Sequence, residues 1–107
     1  MSAMIDVDQS NFQKEVLEAE GLIFVDFWGT KCTRCKALMP QLEAFAEENA
    51  PSAKFCRINA MENKPVCKEQ KVISVPSIVF YRKGEKLAHL AMTFTMEEVQ
   101  EKLKELA

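Results

Sequence analysis

The sequence predicts an α/β fold in which a central mixed β-sheet carries helices on both faces. Three observations lead there. The stretch LIFVDF (22–27) is almost continuously apolar and rich in strand formers, as expected of a strand covered on both sides. Strand-like and helix-like segments alternate through the first two thirds of the chain, the pattern that builds βα units. The last third instead reads as a hairpin followed by a helix, which adds antiparallel strands to the sheet. The expected order is βαβαβαββα.

In order, AMIDV (3–7) reads as a short strand. Ser10 and Gln13 have the spacing of a capping box, and Phe12, Val16 and Leu17 follow at helical intervals until Gly21. After the 22–27 strand, a helix is expected from Cys32 to Asn49, with Leu38, Leu42, Phe45 and Ala46 on one face and a kink at Pro40. KFCRIN (54–59) is the next strand. NKPVCKEQK (63–71) is a helix whose first turn tolerates Pro65. SIVFYRKGEKLAHLAM (77–92) is a hairpin turning at Lys83-Gly84. Thr95 and Glu98 form a second capping box, and Val99, Leu103 and Leu106 supply the last helix with its apolar face.

A chain of 107 residues, 48% apolar and 28% charged, suits one domain spanning 1–107. A net charge of −2 argues against binding nucleic acid through phosphate contacts. No apolar run approaches the roughly 18 residues of a membrane span. The opening MSAMIDVDQS has neither a basic start nor an apolar core, so no leader is expected and the expected location is the cytoplasm. Four cysteines in a cytoplasmic chain point to redox chemistry or metal binding rather than to a structural disulfide framework.

The chemistry concentrates in WGTKCTRCK (28–36). Cys32 falls at the expected N-terminus of a helix, where free N–H groups and the helix dipole favour a thiolate. Lys31, Arg34 and Lys36 add positive charge that pushes the thiol the same way. Cys35, one turn on, lies on the same face and within reach. A thiolate at Cys32 could attack a disulfide and Cys35 could then resolve the mixed disulfide. Asp26 is the one acid in the apolar strand. Either it faces an edge and is solvated, or it is a buried acid that takes the proton from Cys35, with Arg57 on the next strand as charge partner. In SVPS (74–77), Pro76 either begins a strand or follows a cis bond that leaves strand-like backbone at Val75 open to a peptide. Cys56 reads as a buried inert thiol, Cys67 as a free thiol on a polar helix, and His89 as a surface residue. The competing reading gathers all four cysteines into a zinc site, against which stands the eleven-residue gap between Cys56 and Cys67.

VDFWGTKCTRCK, then RIN, then VPSIVFYRKGE, in that order and spacing, resembles the thioredoxin family over essentially the whole chain. The resemblance implies the thioredoxin fold and a thiol–disulfide oxidoreductase that reduces protein disulfides. It implies Cys32 as nucleophile, Cys35 as resolving cysteine and Asp26 as buried proton acceptor, with Arg57 where the family usually has a lysine. Trp28, Val75, Pro76 and Met92 would form the substrate surface. No metal or bound cofactor is implied; the implied partners are disulfide-containing proteins and a flavin-dependent thioredoxin reductase, with the chain acting as a monomer. An isomerase or oxidant of the same fold is the alternative. The family usually has Gly-Pro between the cysteines, where this chain has Thr33-Arg34. A cation there favours the reduced state, so a potential less negative than the roughly −270 mV of thioredoxin itself is expected. Met92 stands where the family usually has glycine, and Lys31 where it has a second tryptophan. Both are expected to narrow the partner range.

Overall fold

The computed structural model describes residues 3–50 and 52–107. Its five strands are β1 (Ile5–Val7), β2 (Leu22–Trp28), β3 (Lys54–Asn59), β4 (Ser77–Arg82) and β5 (Glu85–Ala91). They form one sheet in the order β1-β3-β2-β4-β5. β3 runs parallel to both β1 and β2, whereas β4 is antiparallel to β2 and to β5. The apolar 22–27 run therefore sits in the middle of the sheet, and all of Leu22 to Phe27 is buried. This is the mixed sheet the sequence predicts.

Alternation along the strands sends side chains to two cores. Leu22 and Phe24 join Phe55, Ile78 and Phe80 on one face. There they meet Leu38, Leu42 and Phe45 of α1 (Thr33–Asn49) and Val99 and Leu103 of α3 (Met96–Leu106). Phe24 is the hub, with ring centroids 5.0 Å from Phe55, 5.4 Å from Phe80 and 6.0 Å from Phe45. Ile23, Val25 and Phe27 face the other way, against Phe12, Val16 and Val66. That second core lies under a short π-helical segment, Gln13–Leu17, and under α2 (Lys64–Gln70).

The local signals mostly operate as expected. Thr95 and Glu98 form the reciprocal capping box that starts α3. Lys83 and Gly84 turn the hairpin with φ of 54° and 79°, the paired left-handed geometry that matches the twist of the flanking strands. α1 continues through Pro40. The Ser10–Gln13 capping box does not form. Asp8 Oδ1 accepts from both the Ser10 N–H and the Ser10 hydroxyl, while Gln13 Nε2 donates to Glu18. The nearer carboxylate takes the serine, and the helix that follows begins with no side-chain cap.

Candidate active site

Cys32 is the N-cap of α1, with extended backbone, and its Sγ accepts the N–H of Cys35 at 3.1 Å. A cap side chain normally offers oxygen to this donor; here sulfur takes the role. The two cysteines are disulfide-bonded with Cα atoms 5.2 Å apart, inside the range a disulfide spans without backbone movement. Their settings differ. Cys32 is half-buried at the surface, whereas Cys35 is 2% exposed beneath it. Lys31 and Lys36 flank the pair as exposed residues.

Asp26 is 2% exposed, so the solvated-edge alternative does not hold. By alternation it lies on the face of β2 that packs against α1, the helix carrying Cys35. Burial pushes its carboxyl up to about 7, opposed in part by the charge of Arg57. Arg57 does stand opposite Asp26 in the β2–β3 register. Its guanidinium, however, donates to Asp6 and Glu43, each at 2.7 Å, so it acts on Asp26 only through space.

Around Cys32 the chain brings together residues distant in sequence. A Cβ placed on Gly29 would stand 3.4 Å from Val75 Cγ2, 3.7 Å from Met61 Cγ and 3.8 Å from Cys32 Cβ. The Val75-Pro76 bond is cis, the second of the two readings of SVPS. The Met92 N–H donates to Pro76 O at 2.8 Å, which places Met92, 50% exposed, on the same surface. Trp28 is half-buried at the end of β2; among the described residues its buried Nε1 meets no acceptor. Met61 and Ile73 were not singled out by the sequence. They line a groove of about 200 Å³ with Val75 and Cys67, and Ile73 is 97% exposed. The signal available for Ile73 was the apolar set Val72, Ile73 and Val75 leading into Pro76.

The remaining candidates lie apart. Cys56 is buried in the second core, its thiol pushed up to about 11 by burial. Cys67 is half-buried with Sγ 3.7 Å from Ala60 O, and burial raises its thiol as well. Among the described residues no group of three or more His, Cys, Asp or Glu side chains could hold a metal ion, so the four cysteines do not make the zinc site considered above. His89 is exposed on β5; partial burial and the Lys86 charge hold its pKa below the usual histidine value. Among the described residues no helix is long and apolar enough to cross a membrane.

Residues 3–105 match the family model described as thioredoxin. The chain belongs to the thioredoxin family. It is 38% identical over 88 residues to the thioredoxin of Peptoclostridium acidaminophilum, covering 81% of this chain and 80% of that protein. It is 31% identical over 87 residues to the thioredoxin of Acetoanaerobium sticklandii, covering 81% and 83%. The thioredoxin of Tissierella creatinophila is 57% identical over 44 residues, which is 41% of this chain and all of that one. The Cys32–Cys35 pair occupies the thioredoxin active-site position, and the mixed five-stranded sheet is that of the thioredoxin fold. The chain is accordingly a thiol–disulfide oxidoreductase of the thioredoxin type.

Proposed function

We propose that this thioredoxin-family protein reduces disulfides in proteins, with Cys32 attacking and Cys35 resolving. The observation that carries the assignment of roles is the asymmetry of the pair. The Cys32 sulfur is reachable and already accepts an N–H at a helix N-terminus, while Cys35 is buried behind it. The Cys32 thiolate attacks one sulfur of the substrate disulfide; the S–S bond breaks and the other sulfur leaves as a thiolate. Cys35 then gives its proton to the Asp26 carboxylate and attacks Cys32 Sγ, and the second substrate sulfur leaves as a thiolate. An acid with a pKa of about 7 is matched to taking up and returning that proton near neutrality.

Trp28, Val75, Pro76 and Met92 form the substrate surface in this reading, and Met92 narrows the partner range by filling part of it. Lys31, Arg34 and Lys36 stabilise the Cys32 thiolate, Arg57 tempers Asp26 from a distance, and the potential is less negative than that of thioredoxin itself. Electrons come from a flavin-dependent thioredoxin reductase, and the protein works as a monomer in the cytoplasm. Replacing Cys35 by Ser tests the roles directly. The variant traps substrate as a mixed disulfide on Cys32, visible by mass spectrometry and released by dithiothreitol. No adduct on Cys32, or an equal adduct on Cys35 in the Cys32→Ser protein, contradicts the assignment.

A further inference from the structure

Arg34 lies between the two cysteines, but its side chain bridges to the far end of the chain. Nε donates to Met92 O at 2.8 Å, and a terminal nitrogen donates to Phe94 O. The guanidinium carbon sits 5.5 Å from the centroid of the Phe94 ring, a cation–π distance. Phe94 is itself buried in the core beneath α1 and α3, so the second carbonyl is a fixed anchor.

The residue held by this bridge is strained. Met92 has φ of 54°, a left-handed backbone that a side chain disfavours. It is the middle residue of a tight turn closed by Thr93 N–H donating to Ala91 O at 2.6 Å. Its two peptide groups are both tied down, the N–H to Pro76 O and the carbonyl to Arg34 Nε. Strain of this kind persists only where the surroundings over-determine it. One chain of hydrogen bonds thus runs from the redox motif, through Met92, to the proline loop.

We propose that Arg34 is a positioning residue for substrate recognition: it clamps the Met92–Phe94 backbone and so fixes Met92 on the surface it shares with Pro76. This rests on the reading above that Met92 and Pro76 contact substrate. The clamp needs the planar fork of arginine, because two diverging donors reach two carbonyls while the ring face stacks; the point charge of lysine does not reproduce that. The thiolate-stabilising role needs only the charge. Arg34→Lys therefore separates the two roles. Released from the clamp, Met92 relaxes out of the left-handed conformation, and a protein substrate must restore it on binding. Met92→Gly removes the left-handed penalty altogether, so the clamp becomes dispensable in that background.

The test measures oxidation of the prereduced protein by a bulky probe, insulin, and by a small neutral one, hydroxyethyl disulfide. In both Arg34→Lys and Arg34→Ala the ratio of the insulin rate to the small-disulfide rate falls about tenfold, the factor matching the left-handed penalty. The loss lies in half-saturation by insulin and not in the plateau. In a Met92→Gly background, replacing Arg34 no longer lowers that ratio. An Arg34→Lys protein with the wild-type ratio, or an equal fall in the Met92→Gly background, overturns the clamp while leaving the reductase reading intact. A wild-type protein oxidised by neither probe overturns the reductase reading itself.

Discussion

Replacing Asp26 by Asn should stabilise the fold most in alkali and progressively less as the pH falls toward about 4. The buried carboxyl has its ionisation midpoint raised from 3.8 to about 7. A group that binds its proton more tightly when folded is protonated in the native state and ionised in the unfolded chain between those two values. Stability therefore falls as pH rises from about 4 to about 7 and is flat above. At about 1.36 kcal/mol per pH unit, the charged carboxylate costs the folded state about 4 kcal/mol once fully ionised. Asparagine has nearly the same shape and never ionises. Urea unfolding of the two proteins at pH 5 and pH 8.5 reads the difference. The account predicts a gain for the variant about 3 kcal/mol larger at pH 8.5 than at pH 5, where the unfolded chain has already ionised and about 1–2 kcal/mol of the cost is in place. The same ΔΔG at both pH values, or a variant less stable at pH 8.5, would refute the claim that burial of this charge is uncompensated.

Two further changes probe the frame that holds the site. Gly84 has φ of 79°, and a Cβ there would come within 3.2 Å of Leu17 O, so Gly84→Ala is expected to lower stability by about 1–2 kcal/mol. An unchanged urea midpoint would contradict the hairpin geometry. Trp28→Phe removes a buried N–H that meets no acceptor among the described residues. Its removal offsets part of the lost ring area, and stability should shift by no more than about 1 kcal/mol; a loss well beyond that, by thermal or urea unfolding, would mean that the indole N–H is satisfied.

Much of the fold was legible because its signals are local. The 22–27 run reads as a doubly covered strand from its own composition, and the Thr95–Glu98 box and the Lys83-Gly84 turn each carry their geometry within a few residues. The Ser10–Gln13 box failed by the same local chemistry, because Asp8 offers Ser10 a closer acceptor. What could not be read was where long cations reach. Arg57 lies on the strand next to Asp26, as expected, yet its guanidinium is taken by Asp6 on the neighbouring strand and Glu43 on α1, contacts set by tertiary packing. Arg34 looked like a charge beside a thiolate; its carbonyl partners lie 58 and 60 residues away. Met61 and Ile73 join the Cys32 surface only because loops from three parts of the chain converge there.

The most direct test of the account is redox equilibration of the protein in graded dithiothreitol or glutathione buffers, with alkylation and mass spectrometry reporting each cysteine. Cys32 and Cys35 should titrate together as one two-electron couple, at a potential less negative than about −270 mV, while Cys56 and Cys67 stay reduced throughout. A pair that never forms a disulfide, or one that exchanges with Cys56 or Cys67 instead of titrating as a unit, would contradict it.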